Sequence, residues 1–177
     1  MNRPPIHVVW ALSALALACA GRAPRAPSDG SQLQGAATCS SVARSDVSSA
    51  TSERLARASN ILDYQNVWRD AHPGGSLGTL SRADLRSFIR SKNGEVSDCY
   101  ESALEELPDG RGRVVTRFVI DSNGRVAHVS LAASELEAPK VGCCLVQRIA
   151  QWAFPGLIHG DFVVVEYPFV VRVSHGG

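Results

Sequence analysis

The side chains with most chemistry to offer are five cysteines, at positions 19, 39, 99, 143 and 144. Thiols bind metals, act as nucleophiles or oxidise in pairs, and spacing discriminates among these. No C-x-x-C is present, and the histidines at 7, 72, 128, 159 and 175 are scattered, which speaks against a zinc centre. A thiol enzyme needs a base beside an exposed cysteine, and no residue can be named as that base. Paired oxidation is the chemistry that remains. Other motifs are weaker. Glu101, Glu105 and Glu106 read as a solvated helix face, and Gly110-Arg-Gly-Arg113 lacks the G-x-x-x-x-G-K-[ST] spacing of a phosphate loop. Asp121-Ser-Asn-Gly124 begins as a calcium loop does, but its twelfth position is Ala132, where a carboxylate belongs. No catalytic residue, metal ligand or cofactor is assigned.

Composition and the N-terminus place these cysteines in an exported, globular chain. Of 177 residues, 45% are apolar and 20% charged, enough apolar content for a packed core. The net charge is +1, with no basic block and no basic helical face, so nucleic acid is not an expected partner. Residues 1–18 read as a signal peptide: Arg3, then a mostly apolar run from Ile6 to Ala18, about 13 residues and short of a membrane span. The run ends in Ala16-Leu17-Ala18-Cys19. Cut as an ordinary A-x-A site, it yields a soluble secreted protein. The same residues resemble a bacterial lipobox, although Ala and Leu stand where Leu and a small residue are usual. On that reading Cys19 is lipidated and holds the chain to a membrane. Cysteine parity favours the lipid, because removing Cys19 leaves four thiols that can all pair in an oxidising periplasm. Cleavage also takes Arg3 from the 18 basic residues, so that they match the 17 acidic ones.

Four segments follow from the composition: the signal, 1–18; a lipid anchor and flexible linker, 19–52; an accessory helix and loop, 53–78; and an α+β domain, 79–177. The linker is rich in Ala, Ser, Pro, Gly and Arg and nearly devoid of bulky apolar side chains, so it cannot offset its ordering entropy. As a random coil it reaches roughly 30 Å. In 53–71 Leu55, Ala58, Ile61, Leu62, Tyr64 and Trp68 recur at helical steps, with Thr51 or Ser52 as the cap.

In the domain, Ser81 and Asp84 resemble a capping box before a long apolar stripe through Leu85, Phe88, Ile89, Val96, Tyr100, Leu104 and Leu107. Asn93-Gly94 predicts a break in its middle. Val114, Thr116, Phe118 and Ile120 alternate as a strand does, and Asp121–Gly124 turns it into a hairpin whose return strand carries Val126, Val129 and Leu131. Pro139 opens a second helix, with Val141, Cys144, Leu145, Ile149 and Trp152 on its buried stripe. The last strand, 162–173, places Val163, Val165, Tyr167, Phe169, Val171 and Val173 on one face. Pro168 within it predicts a sheet edge with the proline nitrogen facing outward. The expected architecture is a three-stranded antiparallel sheet with helices over one face.

DCYESAL, GRVVTRFVIDSNGRV, VGCCLVQRIAQWAFP and VVVEYPF together resemble the AgmX/PglI C-terminal domain family, over roughly residues 80–173. That family is similar to the periplasmic C-terminal domain of the energy transducer TonB. Cys99 and Cys144 match cysteines often found in it; Cys143 departs from the pattern. The resemblance implies a TonB-like fold. It does not extend to energy transduction, because TonB-type transducers have an N-terminal membrane helix and this chain has a cleavable signal. The expected disulfide is Cys99–Cys144, on apolar faces of helices packed on one sheet. It closes a loop of about 45 residues, worth about 4 kcal/mol on the chain-entropy model. Cys39–Cys143 is then the remaining pair; a strained Cys143–Cys144 bridge with Cys39–Cys99 is the alternative.

By resemblance, extended peptides add as a strand at the last strand's edge, around Val163, Val165, Glu166, Tyr167, Pro168 and Phe169. Equally, Glu166 and Pro168 can serve to protect that edge from aggregation. The expected protein is a non-catalytic, lipid-anchored, periplasm-facing envelope protein, on the outer membrane. Its partner would be an envelope protein, an extended peptide or a second copy of the chain; a thiol redox protein is the lesser reading.

Overall fold

A computed structural model of the chain describes residues 41–103, 111–154, 156 and 158–172. They form an α+β fold on a four-stranded antiparallel sheet, with strand order β1-β3-β2-β4. The strands are β1 (Ser41–Ala43), β2 (Arg111–Asp121), β3 (Val126–Ser134) and β4 (Phe162–Arg172).

The β2–β3 hairpin turns where the sequence predicts. Gly124 takes φ 76°, a conformation a side chain would strain, and Asp121 Oδ1 accepts hydrogen bonds from the Asn123 and Arg125 amides, each 2.9 Å. The ladder shifts twice, between Val115 and Thr116 and between Val119 and Ile120. At the second shift Val119 pairs with His128 and Ile120 with Val126, leaving Ala127 as the extra residue of a bulge. This explains the odd three-residue step from Val126 to Val129. Strict alternation would send one of them away from the core, and the bulge restores both to the same face.

Two separate cores flank the sheet, which corrects the expectation of helices over one face only. On the first face lie α3 (Arg82–Ser91), α4 (Asn93–Glu101) and α5 (Pro139–Ile149). Their Ile89, Cys99, Tyr100, Leu145 and Ile149 pack on Phe118, Ile120, Val163, Val165 and Phe169. On the second face lie α1 (Ser49–Arg57) and α2 (Ile61–Ala71), whose Leu55, Tyr64 and Trp68 cover Val119, Ala127, Phe162 and Val164. The cause is legible in β4 itself: Phe162 and Val164 alternate with Val163 and Val165, so both faces of the strand are apolar and both must be covered.

The sheet also has four strands where three were expected. Ser41–Ala43 pairs with Ser130, Val129 and His128 of β3. The segment read as linker up to residue 52 therefore contributes a strand and the first turn of α1. Ser48, not Thr51 or Ser52, caps α1, accepting from the Thr51 amide. The 53–71 helix is two helices, because Asn60 caps α2 through the amides of Leu62 and Asp63. Ser81 caps α3, and the stripe from Leu85 to Tyr100 breaks at Lys92–Asn93, beside the predicted position. Leu104 and Leu107 lie outside the described residues.

Candidate functional site

β4 is the last strand of the sheet and pairs with β2 along its whole length, from Asp121↔Phe162 to Arg111↔Arg172, without a register shift. Main-chain groups of a strand point alternately to its two sides. The Phe162 carbonyl accepts from the Gly78 amide at 2.7 Å, on the side away from β2. By alternation Val164, Glu166, Pro168 and Val170 also face away. The missing N–H of Pro168 therefore falls on the outer side, where it costs the ladder nothing.

The outer side is closed at one end only. Residues 76–79 bridge to Phe162 and His159. This approach needs glycine, since a Cβ on Gly78 would come 2.3 Å from the His159 carbonyl oxygen. Beyond Phe162 no described strand pairs with β4.

The side chains named from sequence at this edge divide into two groups. Val163, Val165 and Phe169 are buried in the first core and Tyr167 packs against it half-buried, so none of these is offered to a partner. Glu166 and Pro168 are exposed, and Arg117 Nε donates to Glu166 Oε2 at 2.6 Å. Val170, which sequence reasoning passed over, is 63% exposed. What the edge presents is main chain, flanked by Val170 and Pro168.

Cys99 and Cys144 are bonded, S–S 1.99 Å and Cα–Cα 5.5 Å, joining α4 to α5. Cys99 is fully buried and Cys144 half-buried, so the bridge braces the two helices from within the first core. Cys143 is half-buried beside it; Cys39 and Cys19 lie outside the described residues.

One polar cluster was not anticipated. His128, fully buried, lies 3.0 Å through Nε2 from Ser52 Oγ and 2.6 Å through Nδ1 from the Tyr64 hydroxyl, which donates to the Arg117 carbonyl at 3.2 Å. Burial pushes His128 down to about 4, against a bond to the Ser52 backbone that works the other way. Burial likewise raises Tyr64. A serine beside a histidine invites a hydrolytic reading. Here the imidazole is sealed between α1, α2 and β3, and a tyrosine holds the nitrogen that a carboxylate orients in a triad. The cluster instead satisfies a buried imidazole while tying α1 and α2 to the sheet. Its trace in the sequence is a histidine set between Ala127 and Val129 in a mostly apolar strand.

A shallow pocket of about 170 Å³ opens near α2, lined by Asp46, Trp68, His72, Asp121, Asp161 and Phe162 among others. Its carboxylates already have partners. Asp121 takes Arg44 at 2.7 Å, and Asp161 accepts from the Ser76 hydroxyl and amide, which hold its carboxyl below the usual range. Among the described residues no cluster of His, Cys, Asp or Glu could hold a metal ion.

No family model, curated protein or solved structure matches this chain.

Two further features bear on partners. Among the described residues no helix is long and apolar enough to cross a membrane. And α3 does carry a basic face, contrary to the expectation from sequence: Arg82, Arg86 and Arg90 are all exposed at four-residue intervals.

Proposed function

We propose that this is a cell-envelope lipoprotein, exported by residues 1–18 and anchored through Cys19, whose α+β domain is a TonB-like interaction module of the AgmX/PglI type. It binds an extended segment of an envelope protein by strand addition at β4 and carries out no chemistry. The observation that supports this best is the outer side of β4: main-chain groups of Val164, Glu166 and Val170 alternate outward, and no described strand pairs with them past Phe162. Main-chain hydrogen bonds supply affinity in this mode of recognition. The two cores pack on opposite faces of β4 and hold it in place, so little ordering entropy is lost on docking.

The strand offers a clean test. Val170→Pro removes an outward donor without touching the ladder to β2, whereas Pro168→Val restores one. Photocrosslinking from position 166 in the envelope fraction should give a discrete adduct, lost in Val170→Pro and strengthened in Pro168→Val, with unchanged melting temperatures. An adduct indifferent to both substitutions removes the edge from the binding reaction. An adduct with the chain itself assigns the edge to a homodimer.

A further inference from the structure

We propose that the solvent face of α3 docks an acidic segment of a protein partner. Arg82, Arg86 and Arg90 recur every four residues over Arg82–Ser91, which stacks them on one face, and all three are exposed. None forms an ion pair with a described residue. Beside this row Leu85, Phe88 and Ile89 pack toward the first core.

The stability of α3 does not account for this arrangement. Like charges one turn apart on a helix repel. Arg82 occupies the first helical position, where the positive end of the helix dipole disfavours a cation. Arg90, in the last turn, is the one well-placed charge of the three. An anionic partner converts both penalties into attraction.

Spacing and context select among anions. Four helical residues rise about 6 Å. Alternate residues of an extended strand are about 6.6 Å apart. Carboxylates at every second position of an extended segment thus meet successive guanidinium groups, and arginine takes a carboxylate with two parallel hydrogen bonds. A membrane surface fits less well. The large apolar side chains of α3 pack toward the core rather than forming an outward apolar face for the headgroup layer, and three arginines fall short of the clusters of about 4–8 that hold a chain to anionic lipid. Nucleic acid would find little else, since the whole chain carries a net charge of only +1. This surface is independent of the β4 edge.

The test uses the processed full-length protein. It is titrated with a labelled peptide of alternating Glu and Thr, with the Lys and Thr counterpart, with vesicles of phosphatidylglycerol and phosphatidylcholine, and with a short DNA duplex. The Glu–Thr peptide should bind, and its affinity should fall as salt rises. The combined variant Arg82→Gln, Arg86→Gln, Arg90→Gln should lose about tenfold or more in affinity. It should keep the parent's circular dichroism and melt no lower. Absent peptide binding, equal affinity in the variant, or tighter arginine-dependent binding to vesicles or DNA overturns the proposal. So does a lowered melting temperature, which would assign the arginines to the fold.

Discussion

His128 sits in an environment far from the one its type prefers. It is fully buried with both ring nitrogens engaged, and burial holds it neutral to about pH 4. In the unfolded chain the same imidazole titrates near 6.5. Between these values the unfolded state binds the proton first, so stability is complete above about pH 6.5 and is lost as the pH falls toward 4. The span corresponds to about 3 kcal/mol. Urea midpoints measured from pH 7.5 to pH 4.5 should therefore fall, and His128→Gln should flatten that part of the curve. A wild-type midpoint constant over this range would mean that the ring is not sealed as described. Glu166 and Arg117 show the same economy at smaller cost. Their ion pair sits at the edge of the second face, and Arg117 also donates to the carbonyls of Ala58 and Ser59, tying the α1–α2 corner to β2.

Among the elements, α4 and α5 depend on each other through Cys99–Cys144. The bridge joins residues 45 apart in sequence, and its loss should cost about 4 kcal/mol on the chain-entropy model. Cys144→Ser should lower the melting temperature under oxidising conditions and leave the protein insensitive to added reductant. A variant as stable as the parent would show that packing alone secures the helices. This pair was expected from the sequence because both cysteines fall on apolar helix faces and because the family resemblance points to the same two positions. β2 and β4 were legible because Val114, Thr116, Phe118 and Ile120, and Val163, Val165, Tyr167 and Phe169, give each a row of period two, although Val119, Phe162 and Val164 make the opposite faces apolar as well. β1 was not: Ser41-Val-Ala43 is too short to show a period, and its pairing with β3 is long-range. The second layer was half visible. Tyr64 and Trp68 announced a packing helix, but only the apolar residues on both faces of β4 say where it packs. The His128 cluster left almost no trace, because its partners, Ser52 and Tyr64, are 76 and 64 residues away.

At the scale of the whole molecule, the strand order sets two different edges apart. β1, where the described chain begins, lies at one edge of the sheet, and β4 forms the other. Three strand spacings, about 14 Å, separate the two edges. Cys19→Ala should move the protein from the membrane to the soluble fraction, and the mature N-terminus should carry the mass of a lipid in the parent. Retention of the variant on membranes would place the anchor elsewhere.

The most direct measurement is amide hydrogen exchange along β4, first in the isolated monomer and then in the crosslinked envelope complex. Strand addition requires the amides of Val164, Glu166 and Val170 to exchange fast in the free protein and to become protected on binding, while Val163, Val165 and Phe169 stay protected throughout. Outward amides that are already protected in the monomer, or that remain fast in the complex, would contradict recognition through this edge.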